Sequence, residues 1–415
     1  MKPLRGVRVI DLSMGWAGPL AARHLVDMGA EVIKVESCER FDWWRGWEAT
    51  EEWIAMNAAE QSAAFNTVNR NKLDVTLDLT SSEGSALLKR LVAIADVVVE
   101  NYSSGVLPKL GLDYAALKAV NPQLVMLSMP AFGSSGPWSG YRAYGSTVEH
   151  ASGLPHLNGE PDGPPTMIHV AYGDAVGGLN GAAALLTALR HRRRTGEGQY
   201  LDLSQSEGLF PLGIHGILHR SVTGRAPVRT GNRSAACAPH GVYPANGDDQ
   251  WVVIQVLTEE QWRALATTVV ELRSFGGIDD RLARRDELDR ELSAWTRTRP
   301  ARQIMAQLQS AGVPAAAVYS AADLIDDPQL ASRRFWQMLE RAHVGLQPNP
   351  VAPYRAGQAP IPIDAPAPTL GQHNRRVLNE LLGLTDADLA RLTEAGVIGD
   401  RPVMPGGDVS LPLIG

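Results

Sequence analysis

A single acid, Asp174, stands in the stretch "HVAYGDAVGGLNGAAALL" (residues 169–186), directly ahead of a run of glycine, alanine and leucine. A carboxylate at the head of a helix has two uses. As an N-cap it accepts hydrogen bonds from the first free amides of the helix. As a nucleophile it attacks an activated carbonyl and carries part of the substrate covalently. Local rules alone favour the cap. The surrounding Gly173, Gly177, Gly178 and Gly181 argue for something more, because each glycine inside a helix costs roughly 0.5–1 kcal/mol relative to alanine. They predict close approach to this backbone.

Other residues have chemistry to offer. "RFDWWRGWEATEEW" (40–53) holds Trp43, Trp44, Trp47 and Trp53 beside Arg40 and Arg45. Tryptophans are commonly core residues. Here polar and charged residues leave no regular core period, so a partly exposed wall is predicted, against which an apolar or cationic acyl group stacks. "DLSMGWAGP" (11–19) has neither GxGxxG spacing nor a Walker lysine; it reads as a tight turn or as a helix N-terminus open to an anion. His150, His169 and His240 are the most interesting histidines, but GxSxG is absent, which leaves a Ser/His/Asp hydrolase without support. Each reads as a structural histidine. Cys38 and Cys237 are too few for a disulfide framework and join no cluster with metal-ligand spacing, so no metal and a reducing cytoplasm are expected.

The elements that must position these residues follow a βαβ rhythm. "GVRVIDLS" (6–13) is a short β-branched run, "LAARHLVDMG" has helical spacing, and "AEVIKVE" is a second strand. The alternation returns in "SEGSALLKRLVAIADVVVEN" (82–101) and "YAALKAVNPQLVMLSMP" (114–130). An α/β fold with a doubly wound parallel sheet is predicted. The loops "SMGWAGP", "ENYSSG" and "MPAFGSSGPWSG" then gather at one sheet edge, where ligands bind in such folds. Residues 1–221 are expected to form the first part of a large domain, 222–248 a linker, 249–339 a smaller α/β domain, and 340–415 a Pro-rich linker and C-terminal segment with a helix over 374–384.

The 415 residues exceed the length at which one core usually stops growing. A net charge of −6, from 39 basic and 45 acidic residues, provides no basic footprint for nucleic acid. With no signal-peptide pattern and no run of about 18 apolar residues, neither secretion nor a membrane is expected.

Taken in order, the motifs "GVRVIDLS", "AGPLAARHLVDMGAEVIKVE", "NRNKLDVTLDL", "ADVVVENY", "GLDYAALKAVNPQLVMLSMPAFG", "GEPDGPP", "AYGDAVGGLNGAAALL", "RRRTGEGQYLDLSQSE", "DDPQL" and "LGQHNRRVLNELLGL" resemble a class III coenzyme A transferase of the CaiB/BaiF type, nearly end to end. The resemblance implies a Rossmann-like large domain built from the N-terminal half and the C-terminal segment, an interlocked homodimer, and coenzyme A as co-substrate alongside a carboxylic acid. It makes Asp174 the nucleophile, with the neighbouring glycines as room for the thioester. It assigns CoA contacts to Trp16, Ala17, Leu77, Asn101, Tyr102, Lys109 and Arg142; Trp43, Trp44 and Trp47 of the aromatic wall, with His240, are expected at the substrate pocket.

There are departures from the family pattern. Formyl-CoA transferases have Gln where Trp16 stands, Glu within the segment aligned with Tyr144–Ser146, and a glycine run where this chain has "SAAC". A bulkier acyl group than formyl or oxalyl is therefore predicted. The α-methylacyl-CoA racemase branch pairs its Asp with a His in a GHD motif, whereas this chain reads "AYGSTVEHASG". Proton transfer at an α-carbon is the alternative enzyme reading. A non-catalytic CoA-binding subunit of a heteromer is the alternative outside enzymology.

Overall fold

Six short apolar runs form one parallel sheet: β1 (Arg8–Asp11), β2 (Glu31–Glu36), β3 (Leu73–Thr76), β4 (Val97–Glu100), β5 (Val125–Ser128) and β6 (Tyr200–Asp202). The order is β3-β2-β1-β4-β5-β6, with every neighbouring pair parallel. The computed structural model describes residues 2–47 and 49–404. Helices α1 (Ala17–Asp27), α2 (Ser82–Ala93), α3 (Tyr114–Val120), α4 (Gly145–Ala151) and α5 (Tyr172–Thr195) belong to the same unit.

Both sheet faces are covered, and that explains the near-continuous apolar strands. Ile10, Ile33, Val75, Val98 and Met126 enter one core with Leu88 and Leu91. Val9, Val32, Val97, Val99 and Val125 enter a second core with Ala21, Leu25 and Leu185. Each fully buried side chain of this size stabilises by about 1.5–3 kcal/mol. The strand order reverses between β1 and β4, the position at which a doubly wound sheet opens a crevice at its C-terminal edge.

The chain divides into two compact units. The first takes residues up to Pro155, Met167–Leu218, and the chain from Ala331; the second takes His156–Thr166 and His219–Leu330. In the second unit, β7 (His240–Pro244), β8 (Trp251–Gln255) and β9 (Ala315–Ala317) form an antiparallel sheet. Helices α6 (Glu259–Thr268), α7 (Arg285–Thr296) and α8 (Ala301–Ser310) share its core through Leu265, Leu292 and Ile304. The segment 222–248, expected as a linker, thus contains a strand. Ala238 and Tyr243 are core residues there. The strand is disguised because β7 lies at the sheet edge, where Gly and Pro are tolerated.

The Pro-rich 340–369 region is not simply extended. It carries part of the hairpin β10 (Trp336–Arg341) and β11 (Gly345–Pro350), then the short pair β12 (Arg355–Ala356) and β13 (Ala359–Pro360). The helix expected over 374–384 narrows to a π-helix, Arg376–Leu381, with α9 (Asp386–Glu394) after it. Val377 and Leu378 pack into the first core, and the Asn374 side chain accepts the Thr76 amide at 2.8 Å, fastening this segment to β3. Among the described residues no helix is long and apolar enough to cross a membrane. No group of three or more His, Cys, Asp or Glu among them is placed to hold a metal ion.

Candidate active site

Helix α5 begins at Tyr172, and Ala171 occupies its cap position without a side-chain bond. Asp174 is therefore the third helical residue rather than the cap, because the chain enters the helix before it reaches the acid. Instead the backbone N–H groups of Ala17, Gly145 and Asp174 itself face its carboxylate and favour its charged form. Ala17 is the first residue of α1 and Gly145 the first of α4. Three helix N-termini thus converge on one carboxylate, each with the partial positive charge of its free amides. Gly145 is obligatory at this distance: a Cβ there would overlap the Asp174 carboxyl group.

Asp174 is partly exposed. Burial nevertheless raises its pKa to about 6, against the three amides, which favour the charged form. No ion pair joins it to a basic side chain among the described residues. The result is a carboxylate more basic than usual, ionised at neutral pH, with donors already aimed at its oxygens.

The glycines that follow do not clear space for a thioester. A Cβ on Gly178 would lie 2.8 Å from the Ala17 carbonyl oxygen and 2.9 Å from Leu20, both on α1. On Gly181 it would meet Leu127 at 3.0 Å, on Gly177 Gln205 at 3.1 Å, and on Gly173 Val148 at 2.9 Å. Close backbone approach is real, but the neighbours are α1, the strand β5, the segment after β6, and α4. Helix packing is the corrected reason.

The tryptophan-rich segment forms an aromatic cluster. Trp43 lies 4.7 Å from Trp47, 5.8 Å from Trp44 and 6.0 Å from Tyr144, measured between ring centroids. Trp16 lies 5.4 Å from Trp44 and 5.9 Å from His169. Trp16 and Tyr144 are the cap residues of α1 and α4, immediately before the amides that face Asp174. Trp16, Trp43 and Trp44 are partly exposed, and Trp47 is 49% exposed. Arg45 does not join this wall. It is buried and pairs with Glu36 and Glu60, both at 2.9 Å.

Two side chains hold the loop after β1 in register. Asp42 accepts the Gly15 amide at 2.8 Å and the Trp44 amide at 3.0 Å, while Lys34 pairs with it at 2.9 Å. Gly15 has φ +72°, and a side chain there would run into Trp43. From the other side, Asn101 accepts the Met14 amide and donates to the Met14 carbonyl, both at 2.8 Å. Sequence reasoning missed Asp42 and Lys34. They are 8 residues apart in the chain and meet only through the fold.

The remaining sequence candidates have varied surroundings. Leu77 is 1% exposed within the first core, so its side chain supports the sheet instead of lining a site. Asn101 engages both ends of its amide with Met14 and serves the loop. Tyr102 packs against the first core, where burial raises its phenol pKa. Lys109, ending a short helix Val106–Lys109, is exposed, as is Arg142. His240 begins β7 in the second unit, with its Nδ1 2.7 Å from the Asn232 carbonyl oxygen. His150 is exposed on α4 and bonds the Ser146 carbonyl one turn back.

The chain belongs to CoA-transferase family III, whose profile matches residues 4–374. It is 36% identical over 403 residues to succinyl-CoA–D-citramalate CoA-transferase of Chloroflexus aurantiacus, spanning 96% of this chain and 98% of that protein. It is 34% identical over 388 residues to succinate–glutarate CoA-transferase of Agrobacterium fabrum, spanning 91% and 96%. The crystal structure of a CaiB/BaiF family protein from Brucella suis matches with a TM-score of 0.82 at 33% identity, over 92% of this chain and 99% of that one. The protein is an enzyme of the CoA-transferase class, and CoA is the substrate such enzymes carry.

Proposed function

We propose that the protein moves CoA from a dicarboxylic acyl-CoA to a second carboxylic acid through a thioester on Asp174. The observation that carries this reading is a basic carboxylate at the meeting of three helix N-termini. Relatives named for succinyl-CoA, citramalate and glutarate support the acid class, and the partly exposed Trp16, Trp43 and Trp44 supply a wall for an acyl chain longer than formyl. Lys109 and Arg142, both exposed, offer positive charge to the phosphates of CoA.

The chemistry proceeds in four balanced steps. An Asp174 oxygen attacks the thioester carbonyl and CoA thiolate leaves, giving a mixed anhydride. The thiolate attacks the Asp174 carbonyl of that anhydride; the donor acid departs as carboxylate and an aspartyl-CoA thioester remains. The acceptor carboxylate attacks the same Asp174 carbonyl and expels the thiolate. The thiolate then attacks the acceptor's carbonyl, giving the new acyl-CoA and the free Asp174 carboxylate. In the two middle steps the oxyanion forms on Asp174 itself, so the Ala17 and Gly145 amides are donors for those tetrahedral intermediates. Raised basicity serves the first step, where the carboxylate is the attacking group.

Incubation with succinyl-CoA followed by hydroxylamine and peptide mass spectrometry tests this. The peptide containing Asp174 should carry a hydroxamate. Its absence during turnover, or full activity in Asp174→Ala, excludes the covalent route.

A further inference from the structure

We infer that His169 is a specificity-determining residue that receives the distal, unreacted carboxylate of a dicarboxylic acyl group through its Nε2–H; this rests on the CoA-transferase reading of the site. A dicarboxylic acid presents one carboxyl group for reaction, and the other remains ionised. Against an aromatic wall that second charge needs a hydrogen-bond donor, since a desolvated carboxylate without a partner is strongly disfavoured. The described residues of the cluster offer the indole N–H groups of Trp16, Trp43, Trp44 and Trp47, the Tyr144 hydroxyl and the His169 imidazole, and of these the imidazole is the ring whose orientation is set by a hydrogen bond to its other nitrogen.

The His169 ring is fixed in one sense and open in another. Its Nδ1 accepts the Ala171 amide at 3.2 Å. That amide already supplies the hydrogen on the Nδ1 side, so the neutral ring carries its own on Nε2. Among the described residues no hydrogen bond involves Nε2. The ring stands edge-on to Trp16 at 5.9 Å, and Trp16 directly precedes the Ala17 amide that faces Asp174. The turn that carries the ring is anchored from below: the fully buried Glu149 accepts the backbone amides of Ile168 and His169. His169 itself is exposed, open to an incoming acid. A donor held by its neighbours, on the wall beside the nucleophile's own donor, suits a carboxylate that must be bound but must not react.

The test compares kcat/KM for succinyl-CoA and butyryl-CoA as donors, in the full-length protein and in His169→Phe, His169→Gln and Tyr144→Phe. Butyryl has the same carbon count without the second carboxylate, so it reports folding and CoA chemistry alone. His169→Phe should lower the succinyl to butyryl ratio by about tenfold or more with butyryl turnover retained, and His169→Gln, which keeps an N–H donor, should recover part of it. An unchanged ratio in His169→Phe overturns the inference, as does a ratio lost in Tyr144→Phe and kept in His169→Phe. Both leave the transferase reading standing. Failure of the wild-type protein to transfer CoA from either donor defeats that reading itself.

Discussion

Asp42 and Asp174 grip the same loop two residues apart, one at the Gly15 amide and the other at the Ala17 amide, and their surroundings are opposite. Asp42 is 0% exposed and paired with Lys34 at 2.9 Å. Beneath it run more pairs of the same kind: Asp11 with Lys72 at 2.7 Å, and Glu36 with Arg45. Burial works against the charge on Asp11, yet Lys72 and Lys34 hold its pKa below the ordinary value. Asp174 has dipoles and no cation, so burial dominates and its pKa rises. A buried acid that must only position is neutralised by a counter-ion, whereas an acid that must attack is given donors that do not quench its basicity.

Replacing each acid should separate the two roles. Asp42→Ala takes from the buried Lys34 its ion-pair partner, leaving it the Ser13 carbonyl and the more distant Asp11, and should destabilise by about 3 kcal/mol. Asp174→Asn should go the other way. Between pH 3.8 and about 6 the folded protein holds a proton on Asp174 that the unfolded chain has released. Stability therefore falls as pH rises through that window, and above it the full cost is present. Removing the charge should stabilise at pH 7.5 by about 1–2 kcal/mol, allowing for partial exposure, while transfer is lost. Denaturant unfolding of both variants measures this, and destabilisation of similar size in the two would erase the distinction.

Gly145→Ala pushes a Cβ into the Asp174 carboxyl group and displaces one donor; kcat should fall by about 10²–10³, read in a steady-state transfer assay. The smallest effect is on pH. Because only ionised Asp174 attacks, kcat/KM should decline as pH falls through about 6, by about tenfold per unit below it. An apparent pKa near that of an ordinary aspartate would indicate a hidden cation and bring Asp174 into line with Asp42.

Much of this was legible in the chain. The alternation of the strand runs "VRVID", "EVIKVE" and "DVVVE" with helical spacing announced a parallel sheet, and the interrupted tryptophan segment announced a partly exposed wall. Asp174 drew notice through the glycines around it, although their reason was misread. A glycine in a helix reports that something is close, not whether that neighbour is a ligand or another helix. Leu77 shows a related limit: a motif position shared with the family does not reveal that its side chain faces the core, where Leu77 is 1% exposed. The Asp42–Lys34 pair, the Glu149 anchor and β7 lay beyond local rules, since each depends on partners that only folding brings together.

Ala17 is touched from two sides by one helix. Its carbonyl abuts Gly178 and its amide addresses Asp174, one turn earlier on α5. One residue therefore works as a gauge block through the two peptide groups that flank it, one setting the separation of two helices and the other the seat of the nucleophile. The tolerance of the active site is fixed where two helices touch, and the hydrogen atom that serves as the side chain of Gly178 is the shim.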